Sequence, residues 1–482
     1  MDDALIFQFR RLLAPDAVIT EPAQLMTYEC DALPHLRQTP ALVVLPGSAA
    51  EVQAVVRLCA REKVPFVARG HGTGLSGGAL PVPGGVVISL ARLNRVLDID
   101  IPNRLVTVEP GVTNLEITRQ VAPYGYYYAP DPSSQQVCSI GGNIAENSGG
   151  AHCLKYGFTV HHVVAVEVVL PDGELVQIGS PLADAPGPDL LGLIIGSEGT
   201  LAVVTKATVR ILRKPESVQT LLAAFDSIGE AGSAVSEIIG AGIIPAAVEM
   251  MDALAIEAAE AAVHPDFPPA NTVLIVELDG PAAEVRELFE VVEATCRTCG
   301  ATTVEVAQDE GHRARIWRGR KAAFAAMGRV SPNYYVQDGV VPRTKLPEVL
   351  GRIRQLELRS GLRIGNVFHA GDGNLHPLIC FDARIEGQLA LAEQAAGEIL
   401  GYCVEAGGSI TGEHGVGADK KDFMAKMFSA DDLDVMQSVR DAIDPQRLCN
   451  PGKVLPTPRL CGEVPGPYRQ HPVEHSGLGE RF

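Results

Sequence analysis

Two glycine-rich stretches constrain this chain more than any other feature of its sequence. ARGHGTGLSGG occupies residues 68–78 and PDPSSQQVCSIGGNIAENSGG occupies residues 130–150, with apolar runs on either side. Glycine permits positive φ and lets the backbone approach a ligand closely, so that several N–H groups can converge on an anion. Neither stretch is the usual dinucleotide fingerprint. Two such loops about sixty residues apart therefore predict one extended, phosphate-bearing ligand that is held from two sides.

The size and charge of the chain limit what kind of ligand-binding protein it can be. At 482 residues the chain exceeds one compact core, so two domains and a tail are expected. A formal charge of −18 argues against nucleic acid, whose phosphates would be repelled. No run approaches the roughly 18 apolar residues of a membrane span, and the start MDDALIF is acidic where a signal peptide is basic. We therefore expect a cytoplasmic protein without a membrane span.

Cysteine usage restricts the redox chemistry that this chain can perform alone. Ten cysteines in a chain of this length do not form a disulfide framework. Their spacing offers no cluster that suits an iron–sulfur centre. Any electron transfer onward would therefore require another acceptor.

The order of apolar patterns predicts an α+β fold. Residues 41–214 begin with a β-α-β unit, in which Ser48 and Glu51 form a capping box at the start of the helix. After Lys214-Pro215 strands and helices alternate in an order that suits an antiparallel sheet with helices on one face. The expected divisions are a helical lead-in (1–40), a first domain (41–214), a second domain (215–414), a C-terminal helical segment (415–458) and a loose tail (459–482).

Histidines and a glutamate form a possible metal site in the second half of the chain. VFHAGDGNLH (367–376) places His369 and His376 on either side of a turn, so that both imidazoles can lie on one side. GEHG (412–415) adds Glu413 and His414 from another loop. Two histidines and one glutamate make a three-ligand set with open coordination positions, and N/O ligands admit Zn, Mn or Fe. Asp372, inside the turn, is expected to make local hydrogen bonds.

A basic segment, Trp317-Arg318-Gly319-Arg320-Lys321, offers a carboxylate-binding group. Arginine presents a planar fork that matches a carboxylate. For Arg318 and Lys321 we expect a solvated helix face. For Arg320, a role in binding a carboxylate is expected only because of the resemblance described next.

Six motifs in order give this chain a family resemblance. They are ARGHGTGLSGG, PDPSSQQVCSIGGNIAENSGG, GSEGTLAVVT, HAGDGNLH, GEHGVG and NPGKVLP. Together they resemble the FAD-linked oxidases of the vanillyl-alcohol oxidase type, over about residues 40 to 456. WRGRKAAF and YYVQDGVVPR are similar to the branch that contains the FAD subunit of bacterial glycolate oxidase and the D-lactate dehydrogenases. The resemblance implies a two-subdomain FAD-binding domain of the p-cresol methylhydroxylase (PCMH) type and a cap domain that holds the substrate.

The resemblance also implies which residues bind FAD. The first loop would wrap the pyrophosphate, and the second loop, residues 198–203 and the C-terminus would hold the rest. Family members with covalent flavin carry a histidine where this chain has Thr73, so we expect non-covalent FAD. The implied cofactor residues are Arg69, Gly70, His71, Gly72, Thr73, Gly74, Leu75, Ser76, Pro130, Asp131, Ser139, Gly142, Asn143, Ser148, Gly149, Glu198, Leu201, Val203 and Asn450.

For the chemistry, the resemblance implies His369, His376 and Glu413 as metal ligands. It implies His414 as the catalytic base and Arg320 as the clamp on the substrate carboxylate. Some relatives carry a polar residue where this chain has Leu378, and others carry a hydroxyl where it has Phe324. Both departures favour a small substrate without a second polar arm.

The expected activity is oxidation of a small 2-hydroxy acid, glycolate or D-lactate, by hydride transfer to flavin N5. Electrons would then pass to an acceptor other than O2, such as a quinone, a cytochrome, or iron–sulfur and second flavin-type partner subunits. Such partners would also place the protein at the membrane periphery. A dehydrogenase of D-2-hydroxyglutarate is the alternative within the family. A zinc hydrolase leaves both glycine-rich loops unexplained, and a flavin-binding scaffold without turnover is the third alternative.

Overall fold

The computed structural model describes residues 1–182 and 187–456. The tail expected at 459–482 lies outside the described residues. The strands are β1 (Val18–Ile19), β2 (Leu42–Val44), β3 (Phe66–Arg69), β4 (Val86–Ser89), β5 (Val96–Asp100), β6 (Leu105–Val108), β7 (Tyr126–Tyr127), β8 (Val163–Val169), β9 (Leu175–Gly179), β10 (Val203–Arg210), β11 (Leu212–Arg213), β12 (Ser217–Phe225), β13 (Ala247–Asp252), β14 (Thr272–Gly280), β15 (Thr303–Val306), β16 (Asn333–Val336), β17 (Gly339–Val340), β18 (Arg363–His369) and β19 (Asn374–Phe381).

One helix precedes the first strand, and the others fall between the strands or after the last of them. They are α1 (Asp3–Leu12), α2 (Pro22–Leu25), α3 (Ala49–Glu62), α4 (Asn114–Val121), α5 (Ile140–Glu146), α6 (Cys153–Tyr156), α7 (Leu190–Ile194), α8 (Ile228–Gly240), α9 (Ala253–Val263), α10 (Ala282–Thr298), α11 (Glu310–Ala326), α12 (Leu346–Ser360), α13 (Gln388–Glu405), α14 (Met424–Met427) and α15 (Ala430–Ile443). Among these helices and the rest of the described chain, none combines the length and apolarity that crossing a membrane requires.

The first sheet follows the predicted β-α-β unit, with one strand inserted. Its order is β1-β2-β4-β3, and β4 pairs in parallel with both β2 and β3. Helix α3 begins at the Ser48 cap, whose hydroxyl accepts from the Glu51 N–H. The Glu51 carboxylate accepts from the Gly47 N–H instead of closing the predicted box on Ser48. β3 ends at Arg69, so this sheet delivers the chain into the first glycine-rich loop.

The second sheet carries the second glycine-rich loop. Its antiparallel order is β5-β6-β10-β8-β9. Ile117 of α4 and Ile140 and Ile144 of α5 pack against its buried valines. Because α5 lies inside the 130–150 stretch, this packing fixes the loop against the sheet.

The third sheet has eight strands and forms the second half of the molecule. Its antiparallel order is β15-β12-β14-β13-β18-β19-β16, with β17 beside β19. Helices cover both faces of this sheet, which corrects the expectation of one face. Leu221 of β12 faces the core formed with α8, α10, α12 and α13, whereas Leu222 faces the core formed with α9 and α11. Strand residues point alternately to the two faces, so apolar side chains on both require two layers of helices.

The sequence patterns predict neither strand β13 nor helix α9, and β13 matters for the site. The AVEMMD run is buried almost throughout, so it shows no polar alternation that would identify a strand. β13 lies in the middle of the sheet beside β18 and places Glu249 opposite His369. This register brings two residues that are far apart in sequence into one cluster.

Candidate active site

A cavity of about 840 Å³ runs between the glycine-rich loops and the edge of the third sheet. Its size falls within the range of about 300 to 1,000 Å³ for ligand sites. Residues of both loops line it, and so do Glu413 and His414. The predicted cofactor residues in its lining are Arg69, Gly70, His71, Gly72, Thr73, Gly74, Leu75, Ser139, Gly142, Asn143, Ser148 and Glu198.

Close backbone packing joins the two loops. A side chain at Gly70 would collide with the Ser139 hydroxyl, and Gly72 has φ of +70°. His71 Nδ1 lies 2.5 Å from Val137 O, so a proton on Nδ1 is donated from the first loop to the second. The glycines thus allow the loops to meet at one wall of the cavity.

The remaining predicted cofactor residues lie behind the lining. Asn450 Nδ2 donates to Gly78 O at 2.9 Å and to Glu198 O at 2.7 Å, so the segment around Asn450 is tied to the first glycine-rich loop and to the 198–203 segment. A side chain at Gly149 would collide with Glu413 Oε2. The others are Ser76 and Val203, fully buried; Leu201, in the core of the second sheet; Pro130, whose carbonyl accepts from Asn114; and Asp131, which contacts His152.

Several lining residues escaped the sequence interpretation. The lead-in contributes residues around His35, and its Ala32 N–H donates to Gly74 O at 2.9 Å. This segment carries no glycine or ligand pattern, so no sequence signal marks it. Lys321 is exposed, as expected for a solvated face, but it also lines the cavity beside Phe324.

The predicted metal ligands converge beside the cavity, and Glu413 forms part of its lining. Glu413 Oε1 lies 3.2 Å from His369 Nε2 and 3.1 Å from His376 Nε2, and the three ligand atoms lie within 4.8 Å of one another. The two rings come from β18 and β19, joined by a turn in which Gly373 has φ of +76°. Two imidazole nitrogens and a carboxylate oxygen in one place are a donor set that divalent metals accept.

Charge compensation acts within this cluster. Burial alone would raise the pKa of Glu413, but His369 and His376 hold it well below its ordinary value. Burial alone would lower the pKa of His369, whereas Glu249 and Glu413 raise it well above its ordinary value. The Glu413 carboxylate is therefore ionised, which is the form that a cation ligand requires.

His414 lies beside this cluster and lines the cavity. Its ring stacks on His376 with centroids 4.9 Å apart and planes at 13°. Burial lowers the pKa of His414 to about 4, although the Asp338 carboxylate opposes this. A neutral imidazole at neutral pH can accept a proton, which is what a general base requires.

Asp338 holds the loop that carries Glu413 and His414. Its Oδ2 accepts from the Thr411 hydroxyl at 2.6 Å and from the N–H groups of Gly412 at 2.9 Å and His414 at 3.0 Å. Lys420 Nζ lies 3.4 Å from the same oxygen. Asp338, His376 and His414 also lie close enough to hold a metal. A cation there would displace these hydrogen bonds, so we assign Asp338 a structural role in holding the loop.

Arg320 lies in the same cluster, behind the cavity lining. The side chain is 3% exposed, and its Nε donates to Glu249 Oε2 at 2.7 Å. The other Glu249 oxygen, Oε1, lies 2.7 Å from His369 Nδ1. The predicted substrate clamp therefore already contacts a carboxylate of the protein, which no motif in the sequence indicates.

Glu146 and Glu198 form a pair of acidic groups at the cavity wall. The Glu198 carboxylate accepts from the N–H groups of Val416 and Gly417, both at 2.6 Å, and burial raises its pKa to about 7. Burial also raises the pKa of Glu146 well above its ordinary value, and Glu198 adds to this. Glu146 Oε2 has no hydrogen-bond partner among the described residues. Burial and the neighbouring Glu198 therefore both favour the neutral form of Glu146.

Glu277, like Glu249 a buried glutamate of the third sheet, joins the two halves of the molecule. Glu277 of β14 accepts from Arg313 Nε at 2.8 Å and from the Trp317 N–H at 2.6 Å. His152 lies between Glu277 Oε1 at 3.2 Å and Asp131 Oδ2 at 2.9 Å. Asp131 thus serves a contact between the second glycine-rich loop and the third sheet.

Comparisons with known proteins agree with this architecture. The family described as FAD binding domain matches residues 40–179, and the family described as FAD linked oxidases, C-terminal domain, matches residues 214–454. The GlcD subunit of glycolate oxidase from Escherichia coli strain K12 is 51% identical over 449 residues, which span 93% of this chain and 90% of that protein. D-lactate dehydrogenase from Anaerostipes hadrus is 33% identical over 427 residues, 86% of this chain and 89% of that protein.

A solved structure gives the same result for the fold. The crystal structure of p-cresol methylhydroxylase with substrate bound matches with a TM-score of 0.80 at 17% identity, and the match covers 94% of this chain and 96% of that one. At this identity the likeness concerns the fold alone. It confirms the α+β class and the PCMH-type architecture that the motifs predict.

Proposed function

The chain belongs to the FAD-linked oxidase family, and from this premise we propose that it oxidises a small 2-hydroxy acid, glycolate or D-lactate, to the 2-oxo acid. The observation that supports this most directly is the cavity, whose lining includes both glycine-rich loops together with Glu413 and His414. The relatives named above, a glycolate oxidase subunit and a D-lactate dehydrogenase, act in the same class of chemistry.

FAD fits the first part of this cavity. Gly70 keeps a side chain out of the wall where the loops meet, and a glycine-rich backbone of this kind can bring N–H groups close to a pyrophosphate. Thr73 offers no imidazole for a covalent bond, and His71 is hydrogen-bonded to Val137 O. We propose non-covalent binding.

A divalent cation, Zn, Mn or Fe, fits the donor set of His369, His376 and Glu413. When bound, FAD supplies a hydride acceptor at N5, and the cation supplies Lewis-acid charge that favours loss of the hydroxyl proton. The cluster is buried, with His376 1% exposed, so its electrostatic effect is weakly screened by water.

His414 would take the substrate hydroxyl proton on Nε2, which lies 4.0 Å from Glu413 Oε1. Asp338 fixes the backbone of that loop and so holds the imidazole in place. General-base help of this kind is worth about 10²–10⁴ in rate. Arg320 would bind the substrate carboxylate, because a guanidinium has five N–H groups and the contact with Glu249 leaves some of them for a ligand.

The electrons must leave through another acceptor, since the cysteine spacing offers no iron–sulfur site. We propose iron–sulfur and second flavin-type partner subunits, and the relative from Escherichia coli is itself a subunit of glycolate oxidase. Through such partners a cytoplasmic protein would work at the membrane periphery.

Anaerobic mixing tests the substrate assignment. The purified holoenzyme is mixed separately with glycolate, D-lactate, L-lactate and D-2-hydroxyglutarate while flavin absorbance is followed. Bleaching by glycolate or D-lactate is expected, and bleaching by D-2-hydroxyglutarate alone would indicate the other branch of the family. A flavin that stays oxidised with all four acids contradicts the proposed function, and a colourless protein favours a hydrolase.

A further inference from the structure

Glu249 connects two groups to which the proposed function assigns different tasks. It is fully buried at the centre of the third sheet. One carboxylate oxygen lies 2.7 Å from His369 Nδ1, and the other accepts from Arg320 Nε at 2.7 Å. The pairing of β13 with β18 sets Glu249 directly opposite His369, so the sheet itself fixes the contact.

On the histidine side, Glu249 selects the tautomer. A metal on Nε2 needs the ring proton on Nδ1, and Glu249 Oε1 is the acceptor for that proton. Nε2 then faces Glu413 Oε1, 3.2 Å away. Carboxylate contacts of this kind orient metal-binding histidines, and their loss typically weakens metal binding by about 10–100-fold.

On the arginine side, Glu249 restrains the guanidinium. Arg320 Nη2 lies 2.5 Å from Glu249 Oε2, in addition to the bond from Nε. The guanidinium carbon lies 5.9 Å from the centroid of Phe324, whose ring in turn lies edge-on to His376 at 5.6 Å. Arg320 is therefore held between Glu249 and Phe324, which lines the cavity.

We propose that Glu249 is a positioning residue through which cation binding at His369 and carboxylate binding at Arg320 reinforce each other. This inference rests on the proposed function for the identity of the two ligands. A cation on Nε2 makes the Nδ1–H a stronger donor and draws the Glu249 charge toward the imidazole. Arg320 then releases N–H groups for the carboxylate of the 2-hydroxy acid. Such coupling is reciprocal, so each ligand tightens the other by the same factor.

A binding experiment without turnover tests this coupling. The holoenzyme is stripped of metal and its flavin is reduced with dithionite, so that glycolate binds without reacting. Zn²⁺ affinity is then measured with and without saturating glycolate, corrected for Zn²⁺–glycolate association in buffer. For the wild type we expect glycolate to tighten Zn²⁺ binding by about 5–150-fold, the usual range of coupling. For Glu249→Gln we expect Zn²⁺ to bind about 10–100-fold more weakly and glycolate to change that affinity little.

Glu277→Gln is the matched control. Glu277 is a buried glutamate on the neighbouring strand that also binds an arginine of α11, but it does not contact the metal ligands. This variant should lose stability while it keeps the Zn²⁺ affinity and the coupling factor of the wild type. If Glu249→Gln and Glu277→Gln lose Zn²⁺ affinity and the coupling factor to the same extent, the cause is a general packing effect and the inference is overturned.

Arg320→Lys keeps the test decisive if Glu249→Gln fails to fold. Lysine keeps the charge but lacks Nε–H, so Zn²⁺ should bind as in the wild type while the glycolate effect falls toward one. An unchanged effect would overturn the inference. Failure of the proposed function looks different: the coupling is present, yet glycolate never bleaches the oxidised flavin.

Discussion

The same buried arrangement occurs twice in the third sheet, once at Glu277 and once at Glu249. Each glutamate lies on a central strand, and each binds one arginine of α11 and one histidine. Glu277 binds Arg313 and His152, whereas Glu249 binds Arg320 and His369. The two arrangements differ in how fully the carboxylate is satisfied.

Glu277 receives additional hydrogen bonds that Glu249 lacks. The Thr220 hydroxyl and the Trp317 N–H both donate to Glu277 Oε2 at 2.6 Å. In the described part of the chain, Glu249 has hydrogen bonds from Arg320 and His369 alone. Burial would raise the pKa of Glu277, but His152 and Arg313 lower it below its ordinary value. A saturated carboxylate fastens two parts of a structure, whereas one with fewer partners can respond when a ligand changes one of them.

Replacing His414 with asparagine should have the largest effect of the changes that compare the Glu249 and Glu277 arrangements. It removes the proposed base, which lies on the Glu249 side. Flavin reduction by the 2-hydroxy acid should fall by about 10²–10⁴, while FAD stays bound. Stopped-flow absorbance measures the rate. His312→Asn, on the first turns of α11 and paired with Glu305 at 3.1 Å, is the control that should keep it. An undiminished rate in His414→Asn would mean that the base lies elsewhere.

The sequence indicates the contiguous motifs of the site but not the buried acids that support them. The glycine-rich loops, HAGDGNLH and GEHG are contiguous, so residue types alone indicate their chemistry. Glu249, Glu277 and Asp338 are single acids in apolar strands or at their ends, and a local pattern cannot distinguish them from solvent-facing residues. Their partners lie far away in sequence, as with Glu249 and His369, and only the strand register brings them together.

The prediction of helices on one face of the third sheet was wrong for a related reason. Strand β12 alternates between two cores, so Leu221 and Leu222 are both apolar and neither marks a solvent face. The sequence pattern then predicts helices on one face only, because a second layer of helices produces no pattern in the strands that would distinguish it from the first. β13 escaped detection in the same way, since burial on both faces removes the period-two pattern.

Exchanging each arginine for methionine compares the two sides directly. Arg313→Met and Arg320→Met each leave a buried carboxylate without its cation, which typically costs about 3–5 kcal/mol of unfolding free energy. Denaturation can be followed by the fluorescence of Trp317, the single tryptophan. Only Arg320→Met should also raise the KM for the 2-hydroxy acid. A matching rise in KM for Arg313→Met would end the distinction between the two glutamates.

Raising the pH tests the Glu277 side through His152. Asp131 and Glu277 raise the pKa of His152 to about 10, although burial opposes this. Because the folded pKa exceeds the unfolded one, the stabilisation is complete below about pH 6.5 and is lost as pH rises toward about 10. A difference of one between the folded and unfolded pKa corresponds to about 1.4 kcal/mol, so the loss amounts to a few kcal/mol.

The measurement is the unfolding free energy between pH 6 and 10 for the wild type and His152→Phe. The advantage of the wild type should shrink steadily over this range, since the variant lacks the titrating group. An advantage that stays constant with pH would show that His152 contributes through packing on Trp317, whose ring centroid lies 5.5 Å away.

The smallest expected effect comes from Thr220→Val, which removes one donor from Glu277 and keeps the shape of the side chain. A hydrogen bond to a charged group contributes about 1.5–3 kcal/mol, so stability should fall by roughly that amount. Flavin reduction should be unchanged, because Glu277 keeps Arg313, Trp317 and His152. If stability does not change, the remaining donors already satisfy Glu277. The difference between the two glutamates would then lie in what their histidines contact rather than in how many partners each carboxylate has.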